Sequence, residues 1–541
     1  RRCEGSPQQG KARALPYDMS VREGEEGEWE LSDVARASAR EGLTGAIRSL
    51  AELKGVKIEE ESALTKAKTL EEKAYTAAKV DSRTTTGRRP DAETTQIYAR
   101  KAGNLVIQVV EAIQRGDDGS SKAAGAEDSL DLCDGNREFV TAETAKAIFA
   151  SILGAEKSAV RKIRLSTKSF GVDAAEVAAQ AFAACRDTLV DLDLSDVIAG
   201  RPEDEAMKSL KCLCDAVECL KLENLDLSDN ALGEKGIRAC ATALTSQSTL
   251  KGIAFRNIGC SVAACKAIHD LLACRDTLRR IHLYNNMSDD EGAFSIAALI
   301  QETPCLEDFM MVSSRVKQEG GQRLAKAFIG KNLVSLDLHD NILGPETAGA
   351  LVEALRSQQH LKHLNLSETC LEDEGVEMIA GSLMASAPKL ETIGLAANDI
   401  TPDVCPNLVR CLANKPCLRE IDLKENELGD RGALLLSCIL PSKPNLEIVD
   451  LYQNEIGRAG ATGITKSVLA CKNLKKLDLN ANYIPNDCVD EIVAAMKQAH
   501  PEVVCEFDEN DEDMVDDDTD PQELQAYSES FDHLARSFEK L

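Results

Sequence analysis

Leu222-Glu223-Asn224-Leu225-Asp226-Leu227-Ser228-Asp229-Asn230-Ala231-Leu232-Gly233 is the stretch on which the fold turns. Leu225 and Leu227 alternate with polar residues, as a strand with one buried face requires. An asparagine and a further leucine follow, then a helical pattern from Gly236 to Leu244. The same unit, L-x-x-L-x-L-x-x-N-x-L, recurs down most of the chain. Its leading apolar residue falls at Val160, Leu189, Leu222, Leu250, Leu278, Leu306, Leu333, Leu361, Leu390, Leu418, Leu446 and Leu474. Successive intervals are 29, 33, 28, 28, 28, 27, 28, 29, 28, 28 and 28 residues.

A strand and a full helix every 28 residues or so predict an α/β leucine-rich-repeat solenoid. It is a ribonuclease-inhibitor-like horseshoe of about 12 repeats, with parallel strands on the concave face and the wider helices outside. Strand alternation is plain in Leu336-Asp337-Leu338, Ile421-Asp422-Leu423 and Leu477-Asp478-Leu479, and helical patterns at Glu291 to Ile300, Glu346 to Leu355 and Glu374 to Leu383. The interval of 33 residues between Leu189 and Leu222 implies an insertion of about five, which we place around Ala199 to Glu203. The segments from Leu130 and after Ile484 are expected to cap the two ends.

Outside the repeats, residues 1–27 lack a sustained apolar period and read as disordered, with order beginning near Trp29. A helical domain is expected over 28–116, interrupted by a polar loop from Asp81 to Asp91, and a Gly/Ser/Asp-rich linker over 117–129. The repeat domain then spans 130–505. Glu506 to Asp520 holds ten acidic residues in fifteen positions, an acidic tail, and 521–541 shows the spacing of an amphipathic helix.

The formal charge of −28 sets the chain against nucleic acid and anionic membranes and favours a basic protein partner. No apolar run reaches the ~18 residues of a membrane span, so no membrane insertion is expected. The 19 cysteines are odd in number, lack any Cys-x-x-Cys pair and sit mostly in Leu/Ala-rich helical patterns, which reads as buried reduced thiols in a reducing compartment. No histidine is followed by Glu, and each Gly-Lys is followed by Ala12 or Asn332, so zinc-protease and P-loop chemistry are excluded. No cofactor and no metal are expected. Binding is what such a solenoid offers by default, and the carboxylates on its strands read as a solvated concave face.

Asn230, Asn286, Asn341, Asn398, Asn426, Asn454 and Asn482 share one repeat position, where an asparagine amide serves to bond backbone groups of neighbouring coils. On pattern alone they are seven equals. Leu189 to Glu205, carrying Leu-Asp-Leu-Ser-Asp-Val-Ile-Ala-Gly-Arg-Pro-Glu, and Leu225 to Ala239 resemble consecutive repeats of the Ran GTPase-activating proteins, especially the plant and algal members. Asn285 to Ala293 and Leu306 to Phe309 resemble the segments that follow. The likeness runs in order over roughly residues 128–510 and includes the irregular insertion.

That resemblance implies an activator that holds no nucleotide and stimulates hydrolysis by a GTP-loaded Ran-type small GTPase. Asn230 matches the family's catalytic asparagine and Arg201 an arginine needed for full activity. For Arg201 three readings stand open: a finger at the phosphate, a partner contact, or a local salt bridge to Glu203 or Asp204, with a supporting role preferred. Asp196, Asp229, Asn286 and Asp340 follow predicted strands and are candidates to meet a basic surface of the partner along one rim. Glu71 to Ala78 and Gln96 to Lys101 resemble the WPP domain, which implies nuclear-envelope anchor proteins as partners of 28–116 and a cytoplasmic or nuclear-envelope location. The naming tripeptide is here Trp29-Glu30-Leu31, without its prolines. The rival reading, favoured by composition, is a non-catalytic leucine-rich-repeat scaffold that clasps a basic protein as a ribonuclease inhibitor does.

Overall fold

The computed structural model describes residues 128–507 apart from 134–136 and 156–157, together with Asn510 and short stretches between 21 and 88. The chain forms two compact units, Arg1–Gly125 and Ala126–Leu541. The linker expected over 117–129 lies outside the described residues up to 127, and its last residue, Ser129, opens a strand. The helical pattern from 98 to 113 and the terminal helix at 521–541 lie outside the described residues, as does the acidic tail beyond Asn510.

In the first unit the described residues between 36 and 71 are helical. Val21–Glu23, inside the segment expected to lack structure, pairs antiparallel with Trp29–Leu31. Two short strands, Arg83–Thr84 and Gly87–Arg88, pair within the expected polar loop. The Glu71 side chain is fully buried and clasped by two arginines, Arg36 Nε at 2.7 Å and Arg40 Nε at 2.7 Å.

The second unit is the solenoid. Its parallel sheet has 14 strands in strict chain order: β1 (Ser129–Asp131), β2 (Lys162–Arg164), β3 (Asp191–Asp193), β4 (Asn224–Asp226), β5 (Gly252–Arg256), β6 (Arg280–Tyr284), β7 (Asp308–Val312), β8 (Ser335–Asp337), β9 (His363–Asn365), β10 (Thr392–Gly394), β11 (Glu420–Asp422), β12 (Ile448–Asp450), β13 (Lys476–Asp478) and β14 (Val504–Glu506). The two segments expected as caps thus contribute the outermost strands. Register is set by the second residue of each strand, which stacks as Leu192, Leu225, Ile253, Ile281, Phe309 and Leu336 from coil to coil. All six are nearly inaccessible. Slipping any strand by one residue would turn these side chains to solvent, at ~1.5–3 kcal/mol for each large one exposed.

Each strand ends in a turn that demands a left-handed residue. Eleven successive coils place Asp196, Asp229, Asn257, Asn285, Ser313, Asp340, Glu368, Ala397, Glu425, Gln453 and Ala481 at φ between 47° and 59°. Asp and Asn tolerate this region better than other non-glycine residues, which accounts for their recurrence there. The strand aspartates have a related task. Asp193, Asp226, Asp337, Asp422, Asp450 and Asp478 each accept the backbone N–H two residues on, at 2.8–3.2 Å. The expectation of carboxylates that merely solvate the concave face is therefore corrected for these residues: they close the turn, as Asx turns do. Where Ala254, His282 and Met310 replace the aspartate, the strands β5, β6 and β7 run on for five residues instead of three.

The helices on the outer face begin near the expected residues, as with Asp289–Gln301, Gly344–Arg356 and Glu372–Leu383. The pattern at Gly236 to Leu244 is two helices, Gly233–Ala239 and Ala241–Ser246, divided at Cys240. The insertion is divided as well. From the end of β3 to helix α1 (Glu203–Asp215) is 10 residues, against 7 from β4 to Gly233. From the start of α1 to β4 is 21, against 19 from Gly233 to β5. Three of the five extra residues therefore enlarge the rim turn after β3, and two lie on the return side.

Buried thiols complete the core, among them Cys185, Cys214, Cys240, Cys260 and Cys265. Burial holds Cys405 up at about 12 and Cys411 and Cys471 up at about 11, so these are neutral packing residues. Among the described residues no helix is long and apolar enough to cross a membrane.

Candidate functional site on the rim after β3 and β4

Asn230 is only 3% exposed. Its amide nitrogen donates to the carbonyls of Leu194 at 2.7 Å, Leu227 at 3.0 Å and Ser228 at 3.0 Å, and its oxygen accepts the Val197 N–H at 2.9 Å. It is thus a rung of an asparagine ladder that ties each coil to the one before. Asn286, Asn341, Asn398, Asn426 and Asn482 repeat the arrangement. Asn510, 28 residues beyond Asn482, adds a rung that the sequence reading missed: its oxygen accepts the Asn482 N–H at 2.7 Å. The signal was the unbroken interval, obscured by the acidic composition around it.

The rungs are not identical. Asn286 Oδ1 accepts two backbone N–H groups, from Ile258 and Cys260, and Asn341 and Asn426 likewise take two. Asn230 Oδ1 takes one, because the enlarged turn after Val197 carries the next donor away. Asn454 Oδ1 has no hydrogen-bond partner and is sealed inside the wall.

The enlarged turn is itself pinned by Arg201. Its guanidinium donates to Ser169 O at 2.7 Å, Ser169 Oγ at 3.1 Å, Val140 O at 3.3 Å and Glu205 Oε1 at 2.6 Å. It also lies over the Phe139 ring, 5.3 Å from the centroid. Gly200, at φ +77°, is required where it stands, since a Cβ there would come within 3.0 Å of Phe139. Of the three readings for Arg201, a local tether describes this geometry, with one correction: its carboxylate partner is Glu205. Glu203, one of the two partners expected from sequence beside Asp204, pairs instead with Lys235 at 2.8 Å.

The four rim candidates separate. Asp229 and Asp340 occupy the left-handed turn position and are exposed. Asp196 occupies the same position but is closed by Arg137, whose Nη2 lies 2.7 Å and 2.8 Å from its two oxygens. Asn286 is buried one residue further on, as a ladder rung; the residue that reaches the rim in its coil is Asn285. Asn285 donates to Asn257 at 3.1 Å and Asn257 to Asp229 at 3.0 Å, a polar chain along the rim. Tyr284 and Met287 beside it are 43% and 46% exposed.

Below the rim the concave face holds a hollow of about 380 Å³ lined by β2 to β6. Asp226 there is pushed up from the usual carboxylate range, first by burial and further by the Asp193 charge. Among the described residues no cluster of His, Cys, Asp and Glu could hold a metal.

A parallel one-turn-per-strand solenoid with this asparagine ladder is a leucine-rich-repeat protein, and the Leucine Rich repeat family model matches residues 218–239, 357–380 and 414–437. RAN GTPase-activating protein 1 of Arabidopsis thaliana is 39% identical over 168 residues, which is 30% of this chain and 31% of that protein. RAN GTPase-activating protein 2 of the same plant is 36% identical over 173 residues, 30% of this chain and 32% of that protein. Over these repeats the chain is similar to the plant Ran GTPase-activating proteins, the family its sequence resembles. It spans about a third of the length of those two relatives. The ribonuclease inhibitor of Sus scrofa is 26% identical over 281 residues, 46% of this chain and 60% of that protein.

Proposed function

We propose that the chain is a GTPase-activating protein for a Ran-type GTPase in its GTP form, acting on the partner's active site without binding nucleotide itself. Cytoplasmic discharge of that GTPase would then sustain directional nuclear transport. The observation that carries this reading is the pairing, in adjacent coils, of the enlarged turn held by Arg201 with a ladder asparagine whose oxygen keeps one acceptor site open. These are the two positions that the family resemblance marks.

Phosphoryl transfer to water needs an aligned nucleophile and stabilised phosphate charge, and the GTPase supplies its own P-loop, Mg²⁺ and glutamine. A neutral amide next to that machinery orients a glutamine amide or water without adding charge. Asn230 would do this, and Arg201 would fix the height of the turn on which the GTPase rests rather than reach the phosphate. Asp229 and Asp340 are the exposed carboxylates placed to meet a basic surface, and Asp196 serves through its pair with Arg137. The region 28–116 is assigned to nuclear-envelope anchor proteins and the whole to the cytoplasm and the cytoplasmic side of that envelope. Single-turnover GTP hydrolysis by Ran tests the reading. Addition of the full chain should raise the rate ~10³–10⁵-fold, and no acceleration refutes it.

The longer ribonuclease-inhibitor match supports a second reading, a scaffold that clasps a basic protein. Tight capture of ribonuclease with indifference to GTP-loaded Ran would establish it instead.

A further inference from the structure

The hollow on the concave face arises because one strand lacks side chains there. Gly252 and Ala254 of β5 face the concavity where neighbouring coils present Asn224 and Asp226 on one side and Arg280 and His282 on the other. Across the glycine, Arg280 Nη2 donates to Asn224 Oδ1, two coils away, at 2.7 Å. Asn224 Nδ2 in turn donates to Asp191 Oδ1. Gly252 permits the bridge, since a Cβ at that position would stand 2.6 Å from both Arg280 Nη2 and Asn224 Oδ1.

Among the described residues this is the one hydrogen bond that the Arg280 guanidinium makes, and no carboxylate pairs with it. Of its five N–H donors, four are left without a partner among the described residues, and Arg280 lines the hollow. At the end of β5, the strand that carries Gly252, the Arg256 guanidinium has a distant carboxylate, Asp226 at 4.0 Å. In a chain of net charge −28, this hollow is lined by four cations against three carboxylates. A planar guanidinium held at one edge is suited to bidentate capture of a carboxylate. Asp191, Asp193 and Asp226 within the lining oppose a polyanion such as a nucleotide phosphate chain.

We infer that the Gly252 hollow is a docking site for an acidic side chain of the protein partner, with Arg280 as its primary contact. The inference rests on the proposed function in taking that partner to be the GTPase. Charge complementarity then fixes a pattern on the partner: a carboxylate opposite Arg280, flanked by basic residues facing the aspartates of β3 and β4.

The test measures single-turnover hydrolysis by GTP-loaded Ran against concentration of the full chain. Arg280→Gln and Gly252→Val should each raise the half-saturating concentration at least tenfold while the rate at saturation holds. Arg280→Lys should recover little, since a point charge lacks the fork. Unchanged half-saturation in both variants, with wild type active, overturns the docking site and leaves the proposed function standing. If wild type gives no acceleration, the proposed function falls and a second arm decides on the hollow. That arm is anisotropy of a fluorescein-labelled Glu-rich peptide at low salt. Binding that Arg280→Gln abolishes upholds the hollow, whereas no binding, or binding indifferent to the substitution, overturns it.

Discussion

Asn230 Oδ1 accepts the Val197 N–H at 2.9 Å and no second donor, while the equivalent oxygen of Asn286, two coils on, accepts two. The difference traces to chain length. With three extra residues between β3 and α1, the backbone after Val197 turns outward before it can offer another N–H. An asparagine shared by structure and function results. Truncating it should therefore cost both.

Asn230→Ala frees three backbone groups, the Leu194 and Leu227 carbonyls and the Val197 N–H, while Ser228 O keeps the Asp196 N–H. It should lower stability by ~2–4 kcal/mol, given ~1–3 kcal/mol for each buried polar group left unpaired and partial relaxation. Asn426→Ala removes a regular rung and should cost about as much by the same reasoning. Denaturant melts should show the two variants alike. Hydrolysis by Ran should separate them, with the rate at saturation lost in Asn230→Ala and kept in Asn426→Ala at a temperature where both are folded. Equal loss in both would mean that Asn230 is a rung only.

Arg201→Ala removes three hydrogen bonds and a ring contact that hold the enlarged turn to earlier residues of the chain, and a fourth bond to Glu205 at the start of α1. Global stability should fall by ~2 kcal/mol, and amide exchange should quicken over residues 197–202 and 138–140 before it does elsewhere. Arg201→Lys cannot reach three partners in one plane and should behave more like alanine than like wild type. A finger role would appear differently, as a rate defect with unchanged exchange.

What could be read from the sequence was whatever repeats. Each leucine faces the same core in every coil, so the strand interval, the helix on the outer face and the asparagine rungs announce themselves by period. The aspartates of the third strand position recur too, though less regularly, yet a solvated carboxylate and a turn-closing one leave the same mark in sequence. Only the position of the N–H two residues on, as at Asp226 and Ser228, tells them apart. Non-periodic contacts left no mark at all: Arg137 and Asp196 are 59 residues apart. Arg201 was paired with Glu203 or Asp204 by adjacency, but a helix beginning at Glu203 turns Glu205 back toward it. The hollow had a legible trace that went unread, Gly252 and Ala254 standing where other coils carry a polar residue and an aspartate.

Lys443 is sealed beneath the solenoid wall, its ammonium donating to the carbonyls of Ala413 at 2.8 Å and Lys415 at 3.2 Å. Burial, reinforced by the nearby Lys415 charge, pushes it down to about 8. A lysine lowered on folding sheds its proton earlier in the native state, so the unfolded chain binds more protons between pH 8 and the ordinary lysine value. Stability contributed by this residue should rise with pH through that window. Against Lys443→Met, which cannot titrate, wild type should gain of the order of 2 kcal/mol from pH 7.5 to pH 10 in paired denaturant melts. Pairing the melts cancels the thiols, which titrate in the same range. A difference that stays flat would place the Lys443 charge in water.

Glu71 tests the first unit on its own terms. Its carboxylate is fully buried and receives Arg36 through two bonds, at 2.7 Å and 3.0 Å, and Arg40 through one at 2.7 Å. Two arginines therefore converge on this one anion. Glu71→Gln keeps the shape and removes the charge, leaving both guanidinium groups half-buried beside a neutral amide. Breaking a buried pair from one side costs ~3–5 kcal/mol, enough to open the helices that carry these residues. Hydrogen exchange on the full chain should then show lost protection at the described helical residues between 36 and 71. Glu71→Leu, which also removes the charge, should open the same segment. If protection in 36–71 survived both substitutions, the arginine clasp would be incidental to the fold of this unit.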